Sequence, residues 1–153
     1  MDKLEKGVEN RVWQRVRGKQ EGSDMPVLQR DNLKSLILTT QENTAALRNL
    51  QLQLIGKQWE GLRRLENESM KLTHSLRGLC ALRGENVKLT PLTAPRDQSR
   101  RALEKCFHRS RRLWDEMDRR SDDPEFSMVF RLLRDRCAEH CLTLTELLGK
   151  LET

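Results

Sequence analysis

Cys137 and His140 sit three residues apart near the C-terminus and form the chain's strongest candidate for chemistry. On a helix, i and i+3 share one face, so a thiol and an imidazole there can meet one ion. A structural zinc wants four protein ligands, and the partners in reach are few. Cys141 points partly elsewhere, and Cys106 is on a different segment. The simpler expectation is a hydrogen-bonded core histidine beside a buried thiol. Cys106 and His108 cannot act as nucleophile and base, because i and i+2 on a helix diverge by about 200°. The sequence has no Gly-rich phosphate loop, no Ser/His/Asp arrangement and no paired carboxylates on a core face.

Arg101, Lys105, His108, Arg112 and Arg119 make a basic strip that could touch a phosphate backbone. Asp115, Glu116 and Asp118 interleave it, and it has no aromatic residue for base stacking. A solvated helix face is therefore expected, and nucleic acid is not the expected partner.

The elements that must position these residues are helical. Charged residues make up 34% of the 153, aromatics 4%, and there are few glycines or prolines and no tyrosine. Abundant Leu, Arg and Glu favour helices over sheets. The length suits one domain with a respectable core. The net charge of +6 permits attraction to an acidic partner without establishing one.

The periodicity predicts four long helices, one domain over residues 31–151, preceded by an N-terminal segment, 1–30. That segment holds a short amphipathic patch (Val8, Val12, Trp13, Val16) and then a loop, EGSDMP. Too short to be stable alone, the patch is expected to dock on its own bundle.

The first helix spans roughly Asp31 to Ile55, with Leu33, Leu36, Ile37, Leu47, Leu50 and Leu54 threaded by Thr40 and Thr44. The second spans roughly Glu60 to Arg83, with Leu62, Leu65, Ser69, Leu72, Leu76 and Leu79 on one face, closed by Gly84. The third spans roughly Asp97 to Arg120 and includes Leu103, Cys106, Ser110, Leu113 and Met117. The fourth opens at Asp123-Pro124-Glu125, an N-cap acid followed by proline. Its stripe runs through Phe130, Leu133, Cys137, His140 and Leu144.

Short turns join helices one to two and three to four. The connection GENVKLTPLTAPR has no helical period. A helix of about 24 residues is about 36 Å long. A linker of about 13 residues stretches to about 43–47 Å, enough to run the length of a bundle. Two antiparallel hairpins joined by one long crossover are therefore expected.

Two stretches carry a family resemblance: SDDPEFSMVFRLLRDRCAEHCLTLTELLGKL (121–151) and LRRLENESMKLTHSLRGLCALRG (62–84). Both resemble the second and fourth helices of small ferritin-like, rubrerythrin-like bundles. That resemblance implies a glutamate on helices one and three and Glu-x-x-His on helices two and four, because two irons need several carboxylate oxygens. Carried onto this chain, the fourth-helix motif falls on Cys137 and His140. The helix-two positions fall on Ser69 and Leu72, with Lys71 and His74 as the other register. Periodicity favours the first, since His74 lies about 140° from Ser69, away from the leucines.

Thr40 and Ser110 take the remaining glutamate positions, and Glu42 is about 200° round from Thr40. Leu47 and Met117 stand where tyrosines are common in such bundles. A degenerate, non-catalytic member of the family is expected, with no metal or cofactor and a structural or interaction role. A second copy of the chain or another protein is the expected partner. The alternative is iron or zinc on an altered set drawn from Cys137, His140, His74 and Glu42. No apolar run approaches a membrane span, and the charged N-terminus has no signal-peptide core, so the cytoplasm is the expected location. The four cysteines are expected to be reduced.

Overall fold

A computed structural model describes residues 24–54 and 57–151. The expected N-terminal patch and its Trp13 lie outside the described residues. Four helices account for most of the rest: α1 (Asp24–Leu50), α2 (Lys57–Leu82), α3 (Ser99–Arg119) and α4 (Ser127–Leu151). The described residues contain no strand.

α1 starts earlier than its leucine pattern suggests, and Asp24-Met25-Pro26, expected as part of a loop, lies inside it. A proline in the first helical turn gives up an N–H that would have no partner there. The expected boundary between residues 30 and 31 therefore falls within one continuous helix. α1 also stops short of Ile55, passing through turns after Leu50. α4 begins at Ser127, later than its Asp-Pro signal. Asp123 still acts as a cap, since its Oδ1 accepts from the backbone N–H groups of Glu125 (2.9 Å) and Phe126 (2.8 Å).

Each helix packs on two others. α1 lies against α2 and α3, and α4 lies against α3 and α2. Partner residues run in opposite order at each seam. Thr40 meets Thr73 while Arg48 meets Glu66, and Thr39 meets Arg112 while Gln53 meets Ser99. Neighbouring helices are therefore antiparallel. The segment from 83 to 98 runs alongside α1. Lys34 pairs with Glu85 (2.5 Å), Gln41 donates to the Thr90 carbonyl (3.0 Å), and Ser99 at the far end donates to Gln53 (2.9 Å). No described helix is long and apolar enough to cross a membrane.

Gly84 starts this crossover. Its φ of 85° is a left-handed conformation that a Cβ disfavours. Glu85 N–H bonds the Cys80 carbonyl and Gly84 N–H bonds that of Ala81, both at 2.9 Å, which closes α2 in a Schellman arrangement. Gly84→Ala should cost about 1–2 kcal/mol. Thermal melts would show it as a fall of about 2–4 °C per kcal/mol.

The core is two apolar clusters. One centres on Leu33, Ile37, Leu76, Leu113, Met117 and Phe130. The other centres on Leu47, Leu50, Leu62, Leu103, Leu144 and Leu147. A belt of polar side chains lies between them along the helices.

Candidate functional site

The belt is built on α1. Thr39 and Asn43 form one i,i+4 pair and Thr40 and Thr44 another, turned about 100° apart. The first pair faces α3. Asn43 Nδ2 donates to Ser110 Oγ at 3.2 Å, and Arg109 and Arg112 donate to Asn43 Oδ1 (3.2 Å) and Thr39 Oγ1 (3.0 Å). The second pair faces α2. Thr40 and Thr73 hydroxyls are 2.6 Å apart, Thr44 donates to Ser69 Oγ at 2.9 Å, and Ser69 donates to the Thr40 carbonyl at 3.0 Å. Thr39, Thr40, Asn43, Ser69, Thr73 and Ser110 are all buried. Buried polar groups persist only where they are bonded, and these satisfy one another.

α4 joins through His140. Its Nε2 lies 2.9 Å from Glu68 Oε1 on α2. His140 is 6% exposed, and Cys137, one turn earlier, is fully buried in the first cluster. Burial pushes the Cys137 thiol up to about 12, and neighbouring Cys141 adds to this. The Cys106 thiol rises to about 11 because burial outweighs the nearby Arg109. The thiolate is the form that attacks or binds metal, so both are inert thiols at neutral pH.

The structure does not gather the sequence-predicted ligands. Cys137 and His140 share the inner face of α4, and their expected burial holds. Glu42 is exposed and lies 3.8 Å from Arg109. His74 is exposed on the outside of α2, as periodicity predicts. Cys106 belongs to the other apolar cluster, away from Cys137. Among the described residues no group of three or more His, Cys, Asp or Glu side chains could hold a metal ion.

Thr40, Ser69, Leu72, Ser110, Cys137 and His140 are all buried, as expected. Asn43, Thr73 and Glu68 complete the belt, and sequence reasoning missed them. Asn43 and Thr73 were within reach of the same angular argument, at i+3 from Thr40 and i+4 from Ser69. Glu68 lies at the edge of the same stripe, about 60° from Leu65 and about 40° from Leu72, but a carboxylate there reads as a solvated flank, so its inward contact carried no signal of its own.

The basic strip of α3 is largely occupied. Lys105 and Arg101 pair with Asp97 (2.9 and 3.8 Å), Arg119 pairs with Glu116 (3.0 Å), and Arg112 is held by Thr39. His108 is exposed and meets Phe107 edge to face.

A separate groove of about 170 Å³ opens where the crossover lies over α1 and α2. Gln41, Arg48, Met70, His74, Leu89 and Leu92 are among its walls. Neither Cys137 nor His140 lines it. Comparison with known proteins gives no matching family model, no matching curated protein and no matching solved structure.

Proposed function

We propose that this chain is a non-catalytic, ferritin-like four-helix bundle that serves as a structural or interaction module. One observation carries the reading. The mid-bundle interior, where such a fold would hold two irons, is closed by hydroxyl and amide hydrogen bonds among Thr40, Thr73, Ser69, Asn43 and Ser110. Hard cations need oxygen ligands bearing charge, and two of them among neutral groups would leave a large uncompensated charge. The one interior imidazole, His140, is taken up by a single carboxylate, Glu68. The crossover along α1 and the pairing of the hairpins also support the fold assignment.

Metal content tests it. Protein purified without added metal, and again after incubation with ferrous iron or zinc and desalting, should carry well under one ion per chain. His140→Ala should change nothing in that measurement. Stoichiometric iron or zinc, lost in His140→Ala, would overturn the reading in favour of an altered metal site.

A further inference from the structure

Three of the most exposed apolar side chains gather where the C-terminal end of α2 meets the start of α4. Arg83 holds that junction by pairing with Asp123 and lying over the Phe126 ring. Beside it Leu82 is 72% exposed, Met128 69% and Leu132 57%. Met128 and Leu132 are one turn apart on α4 and share a face. The crossover leaves them open, since it lies over α1 and the α1 side of α2. A contiguous exposed apolar patch rimmed by polar residues marks a contact site.

The charges around this patch stand in a mirror order. Along this side of α4 the exposed positions run Glu125, Met128, Leu132, Arg136. Glu125 lies in the turn that Asp123 caps. Arg136 lies one turn beyond Leu132. Neither Glu125 nor Arg136 has a side-chain partner among the described residues. Met128 and Leu132 straddle Phe130, with Glu125 and Arg136 five and six residues to either side of it. Arg131 and Asp135 turn about 100° away from Leu132 and Arg136, toward α3, and Asp135 is paired with Arg134.

We propose that this face joins two copies of the chain, related by a two-fold axis beside Phe130 that lays α4 antiparallel on its counterpart. Such an axis sets Met128 against the partner's Leu132 and Glu125 against the partner's Arg136, each contact occurring twice. The same order of side chains therefore satisfies both ends. An acidic partner would meet Arg136 and be repelled by Glu125, and a basic one the reverse. Met128 to Arg136 spans about 12 Å. An interface that small belongs to the transient class, under about 1,200 Å², so pairing is weak and reversible. The proposal rests on reading the bundle as an interaction module and names its partner.

Analytical ultracentrifugation of the full chain tests it. Monomer and dimer should exchange rapidly, with half of the chains paired at about 10–100 μM. Met128→Ala with Leu132→Ala should weaken pairing at least about tenfold. Leu142→Ala removes a leucine that is 67% exposed on the same helix but outside the patch, and should have no effect. Glu125→Arg alone and Arg136→Glu alone should each weaken pairing about tenfold, because each sets like charges together at both ends. Mixed in equal amounts, these two single variants should pair with each other as tightly as wild type does, since every charge contact is again between opposite signs. All of these positions are exposed, and circular dichroism checks that each variant is folded.

Five results overturn the proposal: monomer throughout that concentration range; pairing that survives Met128→Ala with Leu132→Ala; an equal loss in Leu142→Ala; a mixture of the two charge variants that pairs no better than either alone; or a dimer that persists on dilution. Failure here with no metal bound leaves the inert-bundle reading standing. Stoichiometric metal defeats that reading whatever the state of association.

Discussion

Cys137→Glu should destabilise the protein by about 3–5 kcal/mol at neutral pH, the usual cost of an uncompensated buried charge. Cys137 is fully buried beside Phe130 and Leu133, and His140 is already bonded to Glu68. The new carboxyl would escape part of this cost by staying protonated, so its folded pKa would lie above the unfolded value of about 4.3. A group raised in this way costs least below its unfolded pKa and most above its folded one. The deficit relative to wild type should therefore shrink on acidification. Urea unfolding across pH 4 to 8 measures it, with Cys137→Ser as a milder comparison. The substitution restores the acid that the family resemblance implies at this position. A Cys137→Glu protein as stable as wild type that took up one iron or zinc per chain would mean the interior still suits a metal.

Asp123→Ala should cost about 2–3 kcal/mol, because one side chain does two jobs. Its carboxylate caps the turn entering α4 and pairs with Arg83 at the end of α2. Arg83 in turn lies over the Phe126 ring, 5.2 Å from its centroid. Burial pushes the Asp123 carboxyl up, but the N–H groups of Phe126 and Glu125 and the Arg83 guanidinium outweigh it, and the net shift is downward. A lowered carboxyl stabilises the fold above its unfolded pKa of about 3.9, and that stability is lost as pH falls through the folded value. Asp123→Asn keeps an acceptor for the cap without the charge. It should lose less at neutral pH and lose less again on acidification from pH 5 to 2. Asn and wild type declining in parallel would assign the acid sensitivity elsewhere.

These two sites differ in how well the sequence announced them. The leucine stripes are one-dimensional signals of which side faces inward, and they located Thr40, Ser69, Ser110, Cys137 and His140 correctly. A stripe does not say which neighbour an inward residue meets. The division of α1 between α2 and α3, through Thr40 and Thr44 on one side and Thr39 and Asn43 on the other, needs the packed bundle. Asp123 was legible as a cap because Asp-Pro is a local signal, and its pairing with Arg83 was not, because it is a contact across 40 residues. The groove was invisible for the same reason. The crossover has no period, so nothing in it forecast that Leu89 and Leu92 would roof α1 and α2.

The four seams are unequal. α2 and α4 make the fewest close backbone approaches, and there Leu147 packs near Gly61 and His140 reaches Glu68. Opening should begin there, so amide hydrogens facing that seam should exchange with deuterium before those within either hairpin. Once α1 also parts from α3, each hairpin keeps its own long interface, and the crossover becomes a tether between two half-molecules. At high concentration such a tether lets the hairpins of two chains trade places and close the same seams between them.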